Sequence, residues 1–575
     1  MSHISTVGVR IDRLVNVRPV IRQSSRFEIG RPIAKLSQSQ HSAGCITSIG
    51  MRHDGLYFCA IQALAIRGIG FYEIDVGEMA VMPGERHPVN LSLHQSPVCI
   101  SQSQAQQPLT VATDTAYGAM MLVCAMASAG FVFTVLVSYP GYLTADATYV
   151  YGYVQSGFLG DWQSPLMTIV WWFIDPISPG SGSMFLLIAT LYWVGFAILA
   201  LTVARRSTRL AIAVPLLAFA PPAFMLLAMI WRDILFGTVW LLAATIIYFV
   251  AGRFQPLRWM MQGLALVLVG FGVLLRPNAI IAAPLLVAYV AWPERFEWKR
   301  TALLFIPALL AGYGLIQIAY YEILAVHREN PLHSLVVFDL GGITHFTEEN
   351  QFPVSWSADE NALLITQCYE PTRWDTYWTW DPCNFVMRRL QSKDDVIFGT
   401  SRLAQSWIRA VAAHPVAYLT HRLTFLKAFL ARSNPTIELE NLALRDEIPL
   451  ARNRRFVTFM ALYDMLKRTV LFRPGIWLMF AAAVGVLAWR GRATPSGAFA
   501  INVAASGTIY MLSFGVFGVA ADFRYAYWCV LASLAGLIPA LLAWHKQRSK
   551  PVQSKYRAEA PLSSTSIPEL LALDS

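Results

Sequence analysis

Residues 139–163 read YPGYLTADATYVYGYVQSGFLGDWQ, and together with the apolar run before them they decide the fold. That run, residues 117–138, contains no charged side chain and stops at a Tyr-Pro-Gly turn signal. The stretch itself carries two carboxylates, Asp146 and Asp161, among tyrosines and a tryptophan. We interpret it as a loop on the outer face of a membrane, where aromatic side chains meet the headgroup layer.

The composition of the whole chain supports a membrane setting. Of its 575 residues 55% are hydrophobic and only 14% are charged, whereas a soluble domain carries about 25% charged residues. Apolar stretches of about 20 residues, the length that crosses a bilayer, recur from Met120 to Trp544. We therefore predict an all-α polytopic membrane protein. The net charge of +10 lies in short clusters between apolar runs, so we expect membrane lipid as a partner and no nucleic acid.

About ten membrane-spanning helices are predicted from the apolar runs. They cover approximately Met120–Ser138, Met184–Ala204, Leu210–Ile230, Ile234–Ala251, Trp259–Leu275, Asn278–Trp292, Thr301–Glu322, Gly475–Trp489, Ser496–Val519 and Tyr525–Trp544. The run Pro165–Phe173 is too short to cross about 30 Å of hydrocarbon, so we expect an interfacial helix there.

The chain divides into five regions by composition. They are a poorly ordered N-terminal tail (1–115), a membrane domain with the first-loop site (116–322), a small, mostly helical extracytoplasmic domain (323–472), C-terminal membrane helices (473–545) and a cytoplasmic tail (546–575). Met79 or Met120 as the biological start is an alternative interpretation of the tail.

Basic residues indicate the orientation of the spans. With Pro165–Phe173 left out of the count, the clusters Arg205–Arg209, Arg253–Arg258 and Arg490–Arg492 all fall in connections on one side. The positive-inside rule makes that side cytoplasmic and places residues 139–163 and the long polar segment outside.

The cysteines show no CxxC pattern and no Cys/His spacing of a zinc site. Cys368 and Cys383 lie in the polar segment, where they form a disulfide if the segment is extracytoplasmic and otherwise remain free thiols.

In this predicted topology, seven ionisable residues lie at the outer ends of the spans. They are Asp146, Asp161, Arg232, Asp233, Arg276, Asp522 and Arg524. Asp146 either caps a helix or acts as general base on an acceptor hydroxyl. Asp161 either caps the interfacial helix or positions substrate.

Each arginine also has a structural and a functional interpretation. Arg232 forms a local ion pair with Asp233 or holds a phosphate oxygen, and Arg276 snorkels or meets the same phosphate. Asp522 and Arg524 form a salt bridge or contact phosphate or sugar. Taken together, cations for a phosphate and a carboxylate for a hydroxyl predict a site for a lipid-phosphate substrate.

The ordered motifs resemble the C-type superfamily of integral membrane glycosyltransferases, in particular bacterial members related to the family 39 mannosyltransferases. The similar pieces are YPGYLTADATYVY (139–151), FLGDWQSPLMTIVWW (158–172), PPAFMLLAMIWRD (221–233), LLRPNAIIAAPLL (274–286), DLGGI (339–343), HPVAYLTHRL (414–423) and DFRYAYW (522–528). The resemblance implies a polyprenyl-phosphate-linked sugar donor, a lipid or glycan acceptor, and inverting transfer. It also implies a bacterial inner membrane, with the active site facing the periplasm.

Carried over by position, Asp146 matches the catalytic acid/base of that superfamily. Arg232 with Asp233, Arg276 and Arg524 match places that handle the donor phosphate or close the site. The first loop has a single Asp where some members show an Asp-Glu pair, and position 232 is Arg where relatives often carry Lys. These departures leave a divalent metal possible, with no metal ligands assigned.

Two other functions compete with the enzyme. A transporter or flippase of lipid-linked sugars needs charged groups near span centres at broken helices, but here the charges gather at span ends. A membrane scaffold leaves the polar pocket unexplained.

Overall fold

The computed structural model describes residues 109–253, 255–378, 381–432 and 454–548. The predictions of a poorly ordered tail over residues 1–108 and of a cytoplasmic tail over residues 549–575 lie outside the described residues. The first helix begins at Leu109, before the boundary predicted for the N-terminal tail, and the last helix extends to Arg548.

The described residues form helices joined by short connections and contain no β-strand, only isolated bridges. The helices are α1 Leu109–Ser138, α2 Ala145–Ser156, α3 Pro165–Ile174, α4 Ser181–Ala204, α5 Thr208–Leu217, α6 Pro221–Leu227, α7 Arg232–Val250, α8 Gln255–Leu275, α9 Ala283–Ala291, α10 Trp298–Ile316, α11 Leu332–Thr347, α12 Ala358–Thr366, α13 Phe385–Leu390, α14 Ser401–Ala413, α15 Pro415–Arg432, α16 Arg454–Leu466, α17 Pro474–Trp489, α18 Pro495–Phe517 and α19 Tyr527–Arg548. The all-α prediction is confirmed for this part of the chain.

Within the described ranges, 7 helical segments are long and apolar enough to cross a membrane. They are Tyr117–Ser138, Ser181–Ala204, Arg232–Val250, Gln255–Leu275, Trp298–Ile323, Pro495–Phe517 and Phe523–His545. The chain is therefore a multi-pass helical membrane protein, as its composition predicts.

The remaining predicted spans are broken or short. Leu210–Ile230 is divided between α5 and α6, which bend by 53° at a break before Pro221. Asn278–Trp292 consists of a 3-10 turn, Pro277–Ile281, followed by the nine-residue α9. Prolines end or bend helices because they lack the amide proton and clash with the preceding turn. Gly475–Trp489 corresponds to α17, an apolar helix of 16 residues.

The run Pro165–Phe173 forms α3, which has 10 residues. Its start is capped by Ser164, whose hydroxyl accepts a hydrogen bond from the amide of Met167 at 3.2 Å. Trp172 and Phe173 near its end are 61% and 78% exposed. The helix is shorter than a membrane span, and its placement at the membrane interface stays a prediction.

The centre of the bundle is formed by α7, whose first turn carries Arg232 and Asp233, and by α19, which follows directly on the 3-10 turn that carries Arg524. The rings of Trp240 and Trp528 meet edge to face at 5.4 Å. Gly237 lies against Tyr527, where an added Cβ would come within 2.9 Å of the ring. A small residue at this position lets the two helices pack closely, and this packing fixes the position of the start of α7 relative to the start of α19.

The polar segment between α10 and α17 contains α11–α16, and its described part is held by a buried charge. The carboxylate of Asp339 accepts a hydrogen bond from Trp407 Nε1 at 2.8 Å and forms an ion pair with Arg422. Arg422 also donates to the carbonyl of Gly518, directly after α18, at 2.7 Å. Cys368 and Cys383 are joined in a disulfide, which decides between the two alternatives left by the sequence.

Candidate functional site

The first loop is fastened to the turn that precedes α7. The amide of Tyr142 donates to the carbonyl of Ala228 at 2.9 Å, and the amide of Ile230 donates back to the carbonyl of Tyr142 at 3.0 Å. Trp231 Nε1 donates to the hydroxyl of Thr144 at 2.6 Å. Since α2 begins one residue after Thr144, these bonds bring Asp146, in the first turn of α2, beside the start of α7.

An ion pair between Asp146 and Arg524 forms the middle of the site. These residues are separated by 378 positions, and the structure brings them into contact at one end of the bundle. The second oxygen of Asp146 accepts a hydrogen bond from Gln163 Nε2 at 3.2 Å. Arg524 also forms an ion pair with Asp522, in which Nε of Arg524 lies 3.2 Å from Oδ2 of Asp522.

A second ion pair lies deeper. Nε of Arg276, at the end of α8, is 2.9 Å from Oδ1 of Asp233 in the first turn of α7. Their side chains are 8% and 3% exposed. The guanidinium of Arg276 also stands over the ring of Tyr525, 4.8 Å from its centroid. Each buried charge of this pair is thus compensated by the other.

Arg232 is placed differently. Its guanidinium donates to the carbonyl of Trp162 at 3.3 Å, and no carboxylate of the described residues forms a salt bridge with it. It lines a small cavity of about 10 Å³ together with Asp146, Asp233 and Arg524. A cavity of this size has room for about one water molecule, so a phosphate reaches Arg232 only if the surrounding side chains move apart.

The charge state of Asp146 follows from its neighbours. Burial acts to raise the pKa of this carboxyl, but Arg524, Arg232 and Arg276 outweigh burial and lower the pKa to about 2. The carboxylate is therefore ionised at neutral pH. Its side chain is 41% exposed, so a ligand can reach it.

Asp375 is a further carboxylate near the candidate site, and it is not among the site residues predicted from the sequence. The residues before it pair with the loop before α19, where the amide of Trp374 donates to Val519 at 2.9 Å and the amide of Ala521 donates to Thr372 at 2.6 Å. Burial and the charge of Asp146 raise the pKa of Asp375. Its surroundings, RWDTYWTW, repeat the signal of the first loop, a carboxylate among aromatic residues.

Asp161 lies outside the lining of this cavity and connects two loops. Its carboxylate accepts hydrogen bonds from the hydroxyl of Tyr321 at 2.8 Å and from the amide of Glu329 at 2.6 Å. Glu329 in turn accepts from the hydroxyl of Tyr153 at 2.9 Å and from the amide of Trp162 at 3.1 Å. Both carboxylates thus fasten the first loop to the segment that follows α10.

Within the described ranges, no group of three or more His, Cys, Asp or Glu side chains is placed to hold a metal ion. The polar centre consists of arginine–aspartate pairs, whose cations are suited to an anionic ligand.

These features define a multi-pass helical membrane protein with a buried, charged site at one end of its bundle. A scan against protein-family models finds no match for this chain, and neither characterised proteins nor solved structures give a match.

Proposed function

We propose that this protein is a membrane glycosyltransferase that moves a sugar from a polyprenyl-phosphate donor to an acceptor hydroxyl. The observation that carries the proposal is the cavity in which Arg232, without a carboxylate partner in the described residues, stands beside the ionised and accessible Asp146. A bound phosphate requires a cation such as Arg232, and a reacting hydroxyl requires a base such as Asp146. The resemblance of the motifs to C-type glycosyltransferases supplies the class of donor.

The donor phosphate is held first by Arg232, because this guanidinium gives up no ion pair to bind it. Arg276 remains paired with Asp233, which lines the cavity. Arg524 lies at the rim, 16% exposed, and is shared between Asp146 and Asp522. A phosphate that approaches Arg524 competes with Asp146 for it, and loss of this partner raises the basicity of the Asp146 carboxylate.

The transfer step follows from these positions. Asp146 accepts the proton of the acceptor hydroxyl, and the oxygen attacks the anomeric carbon from the face opposite the phosphate. The bond between that carbon and the phosphate oxygen breaks, and the lipid phosphate leaves with the electron pair, stabilised by Arg232 and Arg524. Attack from the opposite face inverts the anomeric centre. Asp375, held beside the same loop, is in place to contact the acceptor.

The site is proposed to face the periplasm of a bacterial inner membrane. The basic clusters of the sequence lie in the connections at the other ends of the spans. The disulfide between Cys368 and Cys383, in the polar segment that packs beside the site, is a bond of oxidising compartments and supports the same orientation.

The test is transfer by the purified protein in liposomes that contain a labelled polyprenyl-phosphate sugar. Asp146→Asn should reduce the rate of transfer by ~10²–10⁴-fold, the typical contribution of a general base. The matched control is Asp464→Asn, which changes an Asp in α16 that is 55% exposed and pairs locally with Lys467. Wild-type transfer by Asp146→Asn refutes the assignment.

The same assay separates the enzyme from a transporter of lipid-linked sugars. A transporter moves the labelled lipid between leaflets and leaves the bond between sugar and phosphate intact, whereas the enzyme releases free lipid phosphate. Translocation of intact donor without its cleavage would replace the proposal by the transporter.

A further inference from the structure

A second cavity, of about 540 Å³, lies between α17 and α18. We call it the α17–α18 groove, and its walls include Gly485 and Val486 on α17 and Ala505 and Ile509 on α18. Val486 is 76% exposed, and a Cβ added at Gly485 would find no atom within 4 Å. The groove is therefore open to the surroundings of the bundle, and the absence of a side chain at Gly485 helps to form it.

The groove lies toward the end of the bundle opposite the candidate site. Phe472, just before α17, touches Phe523 beside Arg524, with ring centroids 5.1 Å apart. The 16 residues of α17 then rise about 24 Å along the helix axis. At its far end Gly491 packs against Ala543 in the last turns of α19. The groove thus opens at the membrane boundary away from the catalytic residues.

Arg490 lines the groove at this far boundary. Its side chain is exposed, and no carboxylate of the described residues forms a salt bridge with it. Trp489 beside it is 46% exposed, and the guanidinium of Arg492 stands 5.5 Å from the centroid of its ring. A tryptophan with arginines marks the headgroup level of a bilayer, and a guanidinium binds phosphate in a bidentate manner.

We propose that the α17–α18 groove binds an anionic phospholipid, with one acyl chain between the helices and the phosphate against Arg490. The positive charge of Arg490 is the argument for this ligand. Arg490 has no carboxylate partner among the described residues and lies at the end of an apolar groove, so the two together complement an apolar acyl chain and an anionic headgroup. The site is separate from the donor site and does not depend on the proposed transfer reaction.

The test measures thermal unfolding of the detergent-purified chain with added phosphatidylglycerol or with phosphatidylcholine of the same acyl chains. Phosphatidylglycerol should raise the unfolding temperature of the wild type more than phosphatidylcholine does. Arg490→Gln should weaken phosphatidylglycerol binding by ~10-fold or more, the usual loss for a hydrogen bond to a charged group. Arg209→Gln, at another exposed arginine, is the matched control and should bind as the wild type does.

Gly485→Leu tests the cavity itself, since leucine fills it and is favoured over glycine in a helix. This variant should keep its unfolding temperature without lipid and lose the increase caused by phosphatidylglycerol. Gly263→Leu, at an exposed glycine of α8 that also has no atom within 4 Å of an added Cβ, should keep the increase.

Several outcomes overturn the proposal. Equal stabilisation by both lipids removes the role of Arg490, and an unchanged lipid response of Gly485→Leu removes the groove as the site. If Gly485→Leu lowers the mass of the solubilised particle, the groove holds a second copy of the chain instead of a lipid. Should Gly485→Leu fail to fold, the comparison of Arg490→Gln with Arg209→Gln still decides the question.

Discussion

Arg276 and Arg232 enter the same site, yet their replacement by glutamine should have opposite consequences. Arg276 and Asp233 are 8% and 3% exposed and lie 2.9 Å apart, so Arg276→Gln leaves a buried, uncompensated carboxylate. Removing one partner of a buried pair costs about 3–5 kcal/mol. With about 2 °C for each kcal/mol, this predicts an unfolding temperature about 6–10 °C below that of the wild type.

Arg232→Gln should leave stability nearly unchanged. The wild-type side chain makes one hydrogen bond to a carbonyl at 3.3 Å, worth about 0.5–1.5 kcal/mol. Its positive charge is repelled by Arg276 and attracted by Asp233 and Asp146, so that removing the charge loses and gains interactions that offset one another in part. The variant should instead weaken binding of the polyprenyl-phosphate donor by ~10-fold or more, because it removes a charge-assisted contact with the phosphate.

The assay is thermal unfolding in detergent at one scan rate for Arg232→Gln, Arg276→Gln, Asp233→Asn and the double variant of Arg276 and Asp233. The double variant removes both charges of the pair, so its loss of stability should be smaller than the sum of the single losses by about 1–3 kcal/mol. Equal destabilisation by Arg232→Gln and Arg276→Gln, or strict additivity in the double variant, would refute the division into one structural and one ligand-binding arginine.

Other expected outcomes concern the loops around the site. Burial first, and the charge of Asp146 second, raise the pKa of Asp375. The wild type therefore loses stability as the pH rises from the pKa of an unfolded aspartate, about 3.9, through the raised pKa of the folded state, and Asp375→Asn should gain stability relative to the wild type over that rise. A constant difference in unfolding temperature contradicts this. Replacing Cys368 and Cys383 by serine should cost about 2–4 kcal/mol, and a reductant should have no effect on that variant while it destabilises the wild type. Asp161→Asn should lose about 1.5–3 kcal/mol of stability without a change in donor affinity, since the carboxylate fastens two loops outside the cavity lining; a larger effect on affinity than on unfolding temperature contradicts that placement.

The ends of the central helices could be predicted from the sequence. Arg232, Arg276 and Arg524 stand where apolar runs stop, and charged residues are costly inside a span. The pairing of these charges could not be predicted. Asp233 suggested a local pair with Arg232, but neighbours in a helix point in different directions, and the structure pairs Asp233 with Arg276.

The breaks in the apolar runs were also beyond the sequence analysis. Hydropathy sums the character of residues and carries no information on the direction of the helix axis. It therefore predicts one span for the run that contains Pro221, although the helices on either side of the break are bent by 53°. Asp375 was missed for a related reason. Its neighbourhood resembles the first loop, but its approach to the site depends on backbone pairing with residues 519–521, a contact between distant segments.

Asp146 and Arg524 stand 378 positions apart, which has a consequence for synthesis of the chain. A ribosome adds about 5–20 residues per second, so about 20–75 s pass between the emergence of the two side chains. During that interval the nascent chain carries the acidic half of the ion pair without the guanidinium that completes it. The Asp146–Arg524 pair of the candidate site forms only after residue 524 has been added, so a chain released earlier lacks this pair.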